Sequence, residues 1–567
     1  MTDMQSAASL VSVASRRADE VEDYVFLPSG VAEETLRAFG DGQAVHSRDK
    51  AAAVLDESKR KSRRRVDYWL KALTPEVILD SGLLWSVLGE TTEGLYVGRK
   101  AGFNRLQWMI AAAAGGTDCD SSALKGFVAA SAEWIAADIL ANRFRQAQFE
   151  VSRGVDTNPW FESARRYMHV AVHVRWASEL ICMSVAHEVA DKSDKYAELS
   201  IVTPNAVGEI FRWVEAKGRS RDADVSAGPA VGVPELSGDA LALLDALSLS
   251  PGFLRGRPSD ALMSDLRNEE YPFVRFTSGV MPVSDREASC RLELALFSLA
   301  RRLLNDDKDR SDLFEATVRR SLQITVPSDM AVGDGEAACP IPASKNPGQT
   351  DFVLRGAAST YIGECKSMVA SPKTTSVINS FQTDVGKATD QVKVRMEALA
   401  AGAMITVDGQ PWASPGGSIY GLAVPLHDYG GAVWRHDCLP LVGGLVAELG
   451  VIPLHQLVMV MRAMRSEKDL AAYLSFRFAL IGMGYESFDE LDLLVPFLFP
   501  SEHEAQQPWQ GRGPDFVPPS LHLGIEHWAR LSDPAPKSAD AWRRRLKDIV
   551  RIETRDDHLP PFPAQAF

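Results

Sequence analysis

The sequence predicts an α/β domain between about residues 285 and 500, preceded by a large, mainly α-helical N-terminal domain. Two observations predict this arrangement. Apolar residues recur at three- and four-residue spacing through Ala-rich segments such as 121–151 and 160–189, which is the pattern of amphipathic helices. After residue 285, apolar runs of strand length alternate with helical segments, and that alternation is typical of an α/β domain.

The predicted organisation has four parts. Residues 1–217 form the α-helical domain. Residues 218–284 form a linker with connecting helices, because the first part of this segment is rich in Gly, Ser, Asp and Pro. Residues 285–500 form the α/β domain with helical additions. Residues 501–567 form a C-terminal tail that starts with a Pro-, Gly- and Gln-rich loop and contains a basic amphipathic helix at 539–550.

Within the α/β domain, helical periodicity marks the helices, short apolar runs mark the strands, and a stretch rich in Gly, Pro, Ser and Asn marks a loop. The predicted elements are, in order, helices at 286–304 and 312–322, a strand at 323–326, a loop at 327–349, strands at 350–354 and 360–365, a helix at 377–401, a strand at 418–425, and helices at 433–449 and 454–474.

Composition and charge limit the classes of protein. Hydrophobic residues make up 46% of the 567 residues and charged residues 24%, the profile of a globular protein with a large core. The net charge of -14 argues against a surface that coats nucleic acid broadly. Because salt limits the reach of exposed acids to roughly 10 Å, a local basic groove is still compatible with this charge. The segment 286–400 is itself neutral, with 15 basic and 15 acidic residues.

The cysteines, the N-terminus and the hydropathy favour a cytoplasmic protein. No two of the six cysteines lie within a few residues of each other, so neither a CxxC zinc site nor a redox pair is indicated, and free thiols fit a reducing compartment. The N-terminus has an acidic residue, Asp3, where a secretory signal is basic, and serines interrupt its apolar stretch, so we expect no secretory signal. The sequence contains no run of about 18 apolar residues, so we expect no membrane span.

The segment 348–368 carries the residues with the clearest chemistry. Asp351 opens an apolar strand, and after a Gly/Ser turn a second strand ends in Glu364-Cys365-Lys366. Residues two apart in a strand share a face, and paired antiparallel strands place side chains next to each other. We therefore expect Asp351, Glu364 and Lys366 to project together, and Cys365 to point into the core from the opposite face.

Two carboxylates and a lysine at one sheet edge suit the hydrolysis of a phosphodiester. Carboxylate oxygens are ligands for Mg²⁺, which keeps positions open for water and phosphate. The metal lowers the pKa of a bound water and neutralises charge that builds on the phosphorus oxygens. A neighbouring lysine can orient or deprotonate that water, or stabilise the transition state.

With Glu364-x-Lys366 following Asp351 after thirteen residues, the sequence resembles the PD-(D/E)XK nuclease superfamily, which has the restriction-endonuclease-like fold. The resemblance covers about residues 285–424. It implies a mixed central sheet flanked by helices, Mg²⁺ (or Mn²⁺ in its place) held by Asp351 and Glu364, and Lys366 positioning or activating water. Thr350 stands where the family pattern has proline.

The helices on either side of this motif add two further candidates. Phe314-Glu315-Ala316-Thr317-Val318, followed by Leu322, resembles the family's preceding helix, which implies that Glu315 completes the metal shell directly or through water. The helix after the lysine often carries a polar residue that faces the site. Lys387 and Gln391 are candidates for that position, and we favour Gln391.

The resemblance implies a nuclease with DNA as the favoured substrate. Two alternatives remain open. RNA is equally compatible with the metal chemistry, and an inactive nuclease fold would make the chain a binding or regulatory protein. The N-terminal helical domain would then recognise a protein partner, and it is also a candidate for homo-oligomer formation. Bacterial genome-defence proteins, including antiviral ones, often pair such a nuclease with a helical domain, and this link is analogy alone.

Weaker signals allow two interpretations each. Six cations occur within Lys59–Arg65, and a second basic run covers Trp542–Lys547. Each run could contact a nucleic-acid backbone or form a solvated helix face. His169 and His173 have the i, i+4 spacing of metal ligands, but the segment lacks the glutamate of HExxH, so we expect core histidines.

Overall fold

The computed structural model describes residues 48–75, 102–116, 122–131, 134, 174–222, 235–259, 262, 270–277, 279–282, 291–334, 337–340, 347–367, 379, 381–412, 417–429, 433, 448–482, 490–499 and 535–553.

The helices are α1 (Arg48–Ala72), α2 (Gly102–Ala113), α3 (Arg175–Asp191), α4 (Pro204–Asp222), α5 (Gly238–Ala246), α6 (Leu292–Leu303), α7 (Asp307–Thr325), α8 (Lys387–Ala400), α9 (Leu454–Ala463), α10 (Glu467–Gly482), α11 (Leu491–Leu498) and α12 (Ala539–Glu553). A π-helical segment, Phe381–Gly386, leads into α8. In the parts of the chain just given, no helix has both the length and the apolar character needed to cross a membrane.

The strands are β1 (Ser248–Leu249), β2 (Phe273–Phe276), β3 (Gly279–Pro282), β4 (Ala331–Val332), β5 (Ala337–Pro340), β6 (Pro347–Thr350), β7 (Phe352–Arg355), β8 (Ser359–Lys366), β9 (Ile405–Val407), β10 (Gln410–Trp412), β11 (Ser418–Pro425) and β12 (Leu449–Val451).

The chain divides into two compact units. The first comprises residues 1–169, 209–289 and 561–567, and the second comprises residues 170–208 and 290–560. Helix α3 therefore belongs to the second unit. Its contacts with α7 explain this, because Arg320 donates to the Glu188 carboxylate at 2.7 Å and Ser321 donates to the Ser184 hydroxyl at 3.2 Å.

The first unit combines helices with a small sheet. Strand β2 pairs with β1 in parallel and with β3 antiparallel. Val66, Trp108, Val274 and Met281 share one core, so α1, α2 and the sheet pack together. The strands lie in the segment 218–284, where only a linker and helices are predicted. That prediction is wrong for these residues, because strands of two to four residues are too short to show alternation.

The second unit contains a mixed five-stranded sheet in the order β12-β11-β8-β7-β4. Strand β8 is parallel to β11 and antiparallel to β7. Both β8 and β11 are largely buried, as central strands covered on both faces must be. Helices α7, α8 and α9 pack against these strands. The prediction of an α/β sheet with additional helical regions is confirmed at this level.

A second sheet has the order β10-β9-β5-β6. A loop is predicted over residues 327–349, and this prediction is wrong for β5 and β6 of this sheet and for β4 of the five-stranded sheet. Pro and Gly within β5 and β6 indicate a loop, but pairing with β9 supplies the backbone partners that make a strand. Asp408 and Gly409, which join β9 to β10, both have positive φ, as a two-residue hairpin turn requires.

Three further element predictions are corrected. The predicted strand 323–326 is the last turn of α7, where the Thr325 hydroxyl donates to the Ser321 carbonyl at 2.8 Å. In the predicted helix 433–449, the last residue, Leu449, is instead the first residue of strand β12. Residues 434–447 lie outside the described part. The predicted helix 454–474 is two helices, because the chain is extended at Met464 between α9 and α10.

We predict that Gly363→Ala destabilises the second unit by about 1–3 kcal/mol, the usual cost of overpacking a core. Gly363 in β8 is paired with Phe352 in β7, and a Cβ at Gly363 would overlap the fully buried Phe352 ring. Urea unfolding monitored by circular dichroism measures the change. Gly402→Ala is not a suitable control because Gly402 has a positive φ, so we choose Gly238→Ala, where the added Cβ meets nothing within 4 Å. Equal loss in both variants would contradict the packing argument.

Candidate functional site

The strand register brings Asp351 next to Glu364. Phe352 pairs with Gly363 in the antiparallel β7–β8 ladder, so the preceding residue, Asp351, stands opposite Glu364. The backbone ties this position down, because Asp351 N–H donates to the Gly363 carbonyl at 3.1 Å. The Asp351 carboxylate in turn accepts a hydrogen bond from the Cys365 amide at 2.6 Å. The carboxylate is therefore fixed at the end of β8.

Glu364 and Lys366 extend from the same face of β8, and Lys366 Nζ is 3.5 Å from Glu364 Oε2. A third charged group joins them from α8. Arg395 Nη1 lies 2.6 Å from Glu364 Oε1, and both side chains are more than nine-tenths buried. The contact is an ion pair without hydrogen-bond geometry, so Arg395 compensates the Glu364 charge by electrostatic attraction.

Arg395 is not among the site residues that the sequence predicts. It lies one helical turn after Gln391, and that i, i+4 spacing is the available signal. The same arginine also donates to the Gln349 carbonyl, which links α8 to the chain just before Asp351. On the other side, Arg319 of α7 donates to the Asp351 carbonyl at 2.7 Å. Two arginines thus hold the backbone around Asp351.

The carboxylates of the site lie in an environment that resists their ionisation. Burial, followed by the negative charge of Asp351, raises the pKa of Glu364 to about 7, against the attraction of Arg395 and Lys366. Burial also raises the pKa of Asp351, although the Cys365 amide, Lys366, Arg395 and Arg319 oppose it. Burial therefore disfavours the charged forms of these carboxylates more than the neighbouring cations favour them.

Glu315 belongs to the same electrostatic group. Burial and then the charge of Asp351 raise the pKa of Glu315 to about 7. The helix α7 carries it, and Ser311, one turn earlier, donates to its carboxylate at 3.1 Å. Cys365 is fully buried, and its pKa is raised by that burial first and then by Asp351 and Glu315. The expectation that Cys365 lies in the core is confirmed.

A pocket of about 520 Å³ lies beside Lys366. Its lining includes both alternatives for the polar residue on α8, Lys387 and Gln391, and also Asp384. Asp384 is not among the site residues that the sequence predicts. It is buried, accepts hydrogen bonds from Tyr429 at 3.1 Å and Thr383 at 3.3 Å, and has a pKa that burial raises. The pocket is lined by Lys366 of the candidate site and by Lys387, together with two acids, Asp384 and Asp390.

The donor set suits a hard divalent cation, although it is not arranged as a complete metal site. Within the described ranges, no group of three or more His, Cys, Asp or Glu side chains is placed to hold a metal ion. Asp351 and Glu364 nevertheless provide carboxylate oxygens, and Glu364 Oε1 is ion-paired with Arg395 but makes no hydrogen bond to the described residues. A dication relieves such crowded negative charge, and Mg²⁺ commonly takes one or two carboxylates and completes its shell with water.

His169 and His173, predicted to be core histidines, lie outside the described residues. Comparisons of the chain with protein-family models, curated proteins and solved structures find no match. The case for a function therefore rests on the residues and geometry of the site.

Proposed function

We propose that the chain is a divalent-metal-dependent nuclease that hydrolyses phosphodiester bonds, with DNA as its substrate and Mg²⁺ as its metal, for which Mn²⁺ can substitute. We further propose that its second unit is a PD-(D/E)XK-type domain. The observation that carries the proposal is the meeting of Asp351, Glu364 and Lys366 at the end of β8, where the Lys366–Glu364 distance is 3.5 Å.

In the proposed site, Asp351 and Glu364 hold the metal, and Glu315 supports it directly or through water. When bound, Mg²⁺ supplies an acidified water and neutralises charge at the phosphate. Lys366 donates hydrogen bonds to the attacking water or to a phosphate oxygen. Lys387 and Gln391 face the same pocket, where an ammonium group and an amide can bind the phosphates that flank the scissile bond.

The positions of the cationic side chains support these roles. Arg395 and Arg319 are directed at Glu364 and at the Asp351 backbone, so they hold the two metal-binding residues. Lys366 has a side chain that is 24% exposed and lines the pocket, so it can reach a ligand there. The chain thus separates cations that position the carboxylates from cations that face the substrate.

Lys366→Ala is expected to lower kcat for cleavage by about 10²–10⁴-fold, the usual contribution of a positioned proton donor or acceptor. The purified protein is incubated with supercoiled plasmid, single-stranded DNA and RNA, each with Mg²⁺, Mn²⁺ or a chelator. We expect metal-dependent cutting of DNA. Preferential cutting of RNA would leave the chemistry in place and correct the substrate.

The matched control is Lys393→Ala, which removes an exposed lysine from α8 that does not line the pocket. We expect this variant to cut as the unmodified protein does. Far-ultraviolet circular dichroism and thermal unfolding show whether each variant is folded. Equal cutting by the unmodified protein and Lys366→Ala would assign the activity to another site or a contaminant. No cutting under any condition by the folded protein would favour an inactive, regulatory nuclease fold.

A further inference from the structure

The two basic runs of the sequence differ in what their side chains contact. Most of the run Trp542–Lys547 on α12 is engaged within the second unit. Trp542 is fully buried, Arg543 donates to the Ala463 carbonyl at 2.6 Å, and Arg543 also pairs with Asp469. Arg545 lies over the Trp542 ring, and Lys547 over the Phe499 ring. This run therefore stabilises the packing of α12 rather than forming an open cationic face.

In the run on α1, four of the six cations are exposed to solvent, and Lys59 and Arg63 are partly buried. Ser58, Ser62, Val66 and Leu70 recur every four residues and are buried against the first unit, so the opposite face points outward. The exposed residues of this outward face, here called the α1 basic face, are Arg60, Lys61, Arg64, Arg65, Tyr68 and Lys71. The spacing of Arg60, Arg64, Tyr68 and Lys71 by four, four and three residues aligns them along one side of the helix.

The acids on α1 are fewer than its cations, four against nine. Between Lys59 and Lys71 the sequence has one acidic residue, Asp67. Its carboxylate accepts a hydrogen bond from the Ser259 amide at 2.8 Å and so is committed inside the first unit. Glu57 is an ion-pair partner of Arg60 and lies 4.0 Å from Lys61, but such exposed pairs contribute little and are easily exchanged for other anions. The α1 basic face thus keeps a large positive excess in a chain of net charge -14.

An exposed aromatic ring lies within this charge. Tyr68 is 66% exposed, the most exposed of the large hydrophobic residues that the structure describes. The adjacent Trp69 contacts it edge-on, with ring centroids 5.1 Å apart, and packs against the core. Trp69 therefore anchors the helix while the Tyr68 ring stays accessible. Cations that follow a phosphate backbone, combined with an aromatic surface for an unpaired base, are the features that bind single-stranded nucleic acid.

We propose that the α1 basic face binds single-stranded DNA, with its cations on successive phosphates and Tyr68 stacked on a base. The inference takes its substrate class from the proposed nuclease function, but the binding requires neither the metal nor the residues of the second unit. It gives the first unit a role of its own in holding the nucleic acid.

The test is fluorescence anisotropy of a labelled 30-nucleotide single strand titrated with full-length protein in a chelator, so that cleavage cannot interfere. The variant Lys61→Gln/Arg64→Gln/Lys71→Gln is expected to bind about tenfold or more weakly at 0.1 M NaCl. Its plot of log K against log salt should be shallower by about 2, because each phosphate contact on a single strand contributes about 0.7. The matched control, Lys308→Gln/Arg544→Gln/Lys393→Gln, removes three exposed cations from helices of the second unit and should bind normally.

The stacking contact has a separate readout. Tyr68→Ala should weaken single-strand binding roughly tenfold, while Tyr68→Phe keeps the aromatic ring and most of the affinity. A fully paired duplex offers no unstacked base, so its binding should respond to the charge variant and not to Tyr68→Ala.

Equal affinity of the two triple variants would overturn the proposal, and so would a Tyr68→Ala variant that binds single strands normally. Binding to phosphatidylserine vesicles with no binding to the oligonucleotide would also overturn it, in favour of a lipid surface. Because cleavage is measured separately, loss of this binding with retained cutting leaves the nuclease proposal standing, and the reverse result rejects only the nuclease proposal.

Discussion

Glu364→Gln is expected to lower the cleavage rate by at least about 10²–10³-fold and, at the same time, to make the stability of the metal-free protein less dependent on pH. The loss of rate follows from removing a charged group that acts on the transition state through the metal. The weaker dependence on pH follows from the site's electrostatics. Burial and the charge of Asp351 raise the pKa of Glu364 to about 7 despite Arg395 and Lys366, so its ionised form is unfavourable in the folded chain.

The direction of the pH effect follows from linkage. The pKa of Glu364 is higher in the folded chain than its ordinary value of 4.5, so the folded state binds the proton more tightly. The resulting stability is fully present below pH 4.5 and is lost as the pH rises through 7. Glu315 has the same direction and a pKa of about 7. At about 1.4 kcal/mol for each pKa unit, Glu364 alone costs roughly 3 kcal/mol above pH 7.5.

Thermal and urea unfolding in a chelator at pH 6 and pH 8.5 measure this effect. The unmodified protein should be less stable at pH 8.5 because of these two carboxylates, and Glu364→Gln should lose less stability over that interval. Adding Mg²⁺ at pH 8.5 should stabilise the unmodified protein, by about 2.7 kcal/mol at one hundred times its Kd, and have little effect on the variant. Glu397→Gln, an exposed change on α8, is the matched control. The same pH response in Glu364→Gln as in the unmodified protein would contradict the electrostatic account.

Arg477→Met is expected to destabilise the second unit by about 3–5 kcal/mol, because it leaves a carboxylate buried without its counter-charge. Arg477 Nε is 2.9 Å from Glu490 Oε1, and both side chains are almost fully buried. Arg477 also donates to the Val451 carbonyl of β12 at 2.8 Å, and Tyr473 donates to the Glu490 carboxylate. Burial raises the pKa of Glu490, and Arg477 lowers it.

Through Arg477, this buried pair is hydrogen-bonded to the row of the sheet that carries the site. Val451 of β12 pairs with Ala423 of β11, and Ala423 pairs with Glu364 of β8. Arg477 thus fixes the outer end of the row that carries a proposed metal ligand. We expect Arg477→Met to lower the midpoint of urea unfolding and, through the sheet, the cleavage activity at temperatures where the protein is still folded.

Two variants separate the buried charge from other causes. Arg477→Met/Glu490→Gln removes both charges and should be less destabilised than the single variant, because no isolated carboxylate is left. Lys468→Met changes an exposed cation of the same helix, α10, and should stay within about 0.5 kcal/mol of the unmodified protein. A loss below about 1 kcal/mol in Arg477→Met would show that Glu490 finds other compensation.

Sequence patterns predict the elements whose signals are local and long. Strand β11 has the predicted bounds, and β8 differs from the predicted strand by one residue at each end, because each has a short group of apolar residues and follows a turn that contains Gly and Ser. The pattern fails for β5 and β6, where Pro and Gly indicate a loop and the pairing with β9 decides the structure. The pattern predicts α3 as a helix but not its place in the second unit, since no local property of that helix indicates that α7 will be its partner.

The local part of the candidate site is also readable from the sequence. Two strands joined by a short turn must lie side by side, and a period of two places Glu364 and Lys366 on one face, where they are 3.5 Å apart. Arg395, Arg319 and Asp384 reach the site from helices. Their positions depend on how those helices pack, which the sequence expresses only through contacts between distant residues.

The sequence by itself determined the α/β character of residues 285–500 and the acid–acid–lysine group at the end of β8, since both arise from short-range periodicity and strand pairing. Only the tertiary structure decided the buried charge balance that raises the pKa of Glu315 and Glu364 to about 7. It also decided which basic run is exposed, because packing buries or pairs most of the α12 run and leaves the α1 basic face in solvent. Burial and long-range charge depend on groups that are far apart in the chain, and no local pattern encodes them.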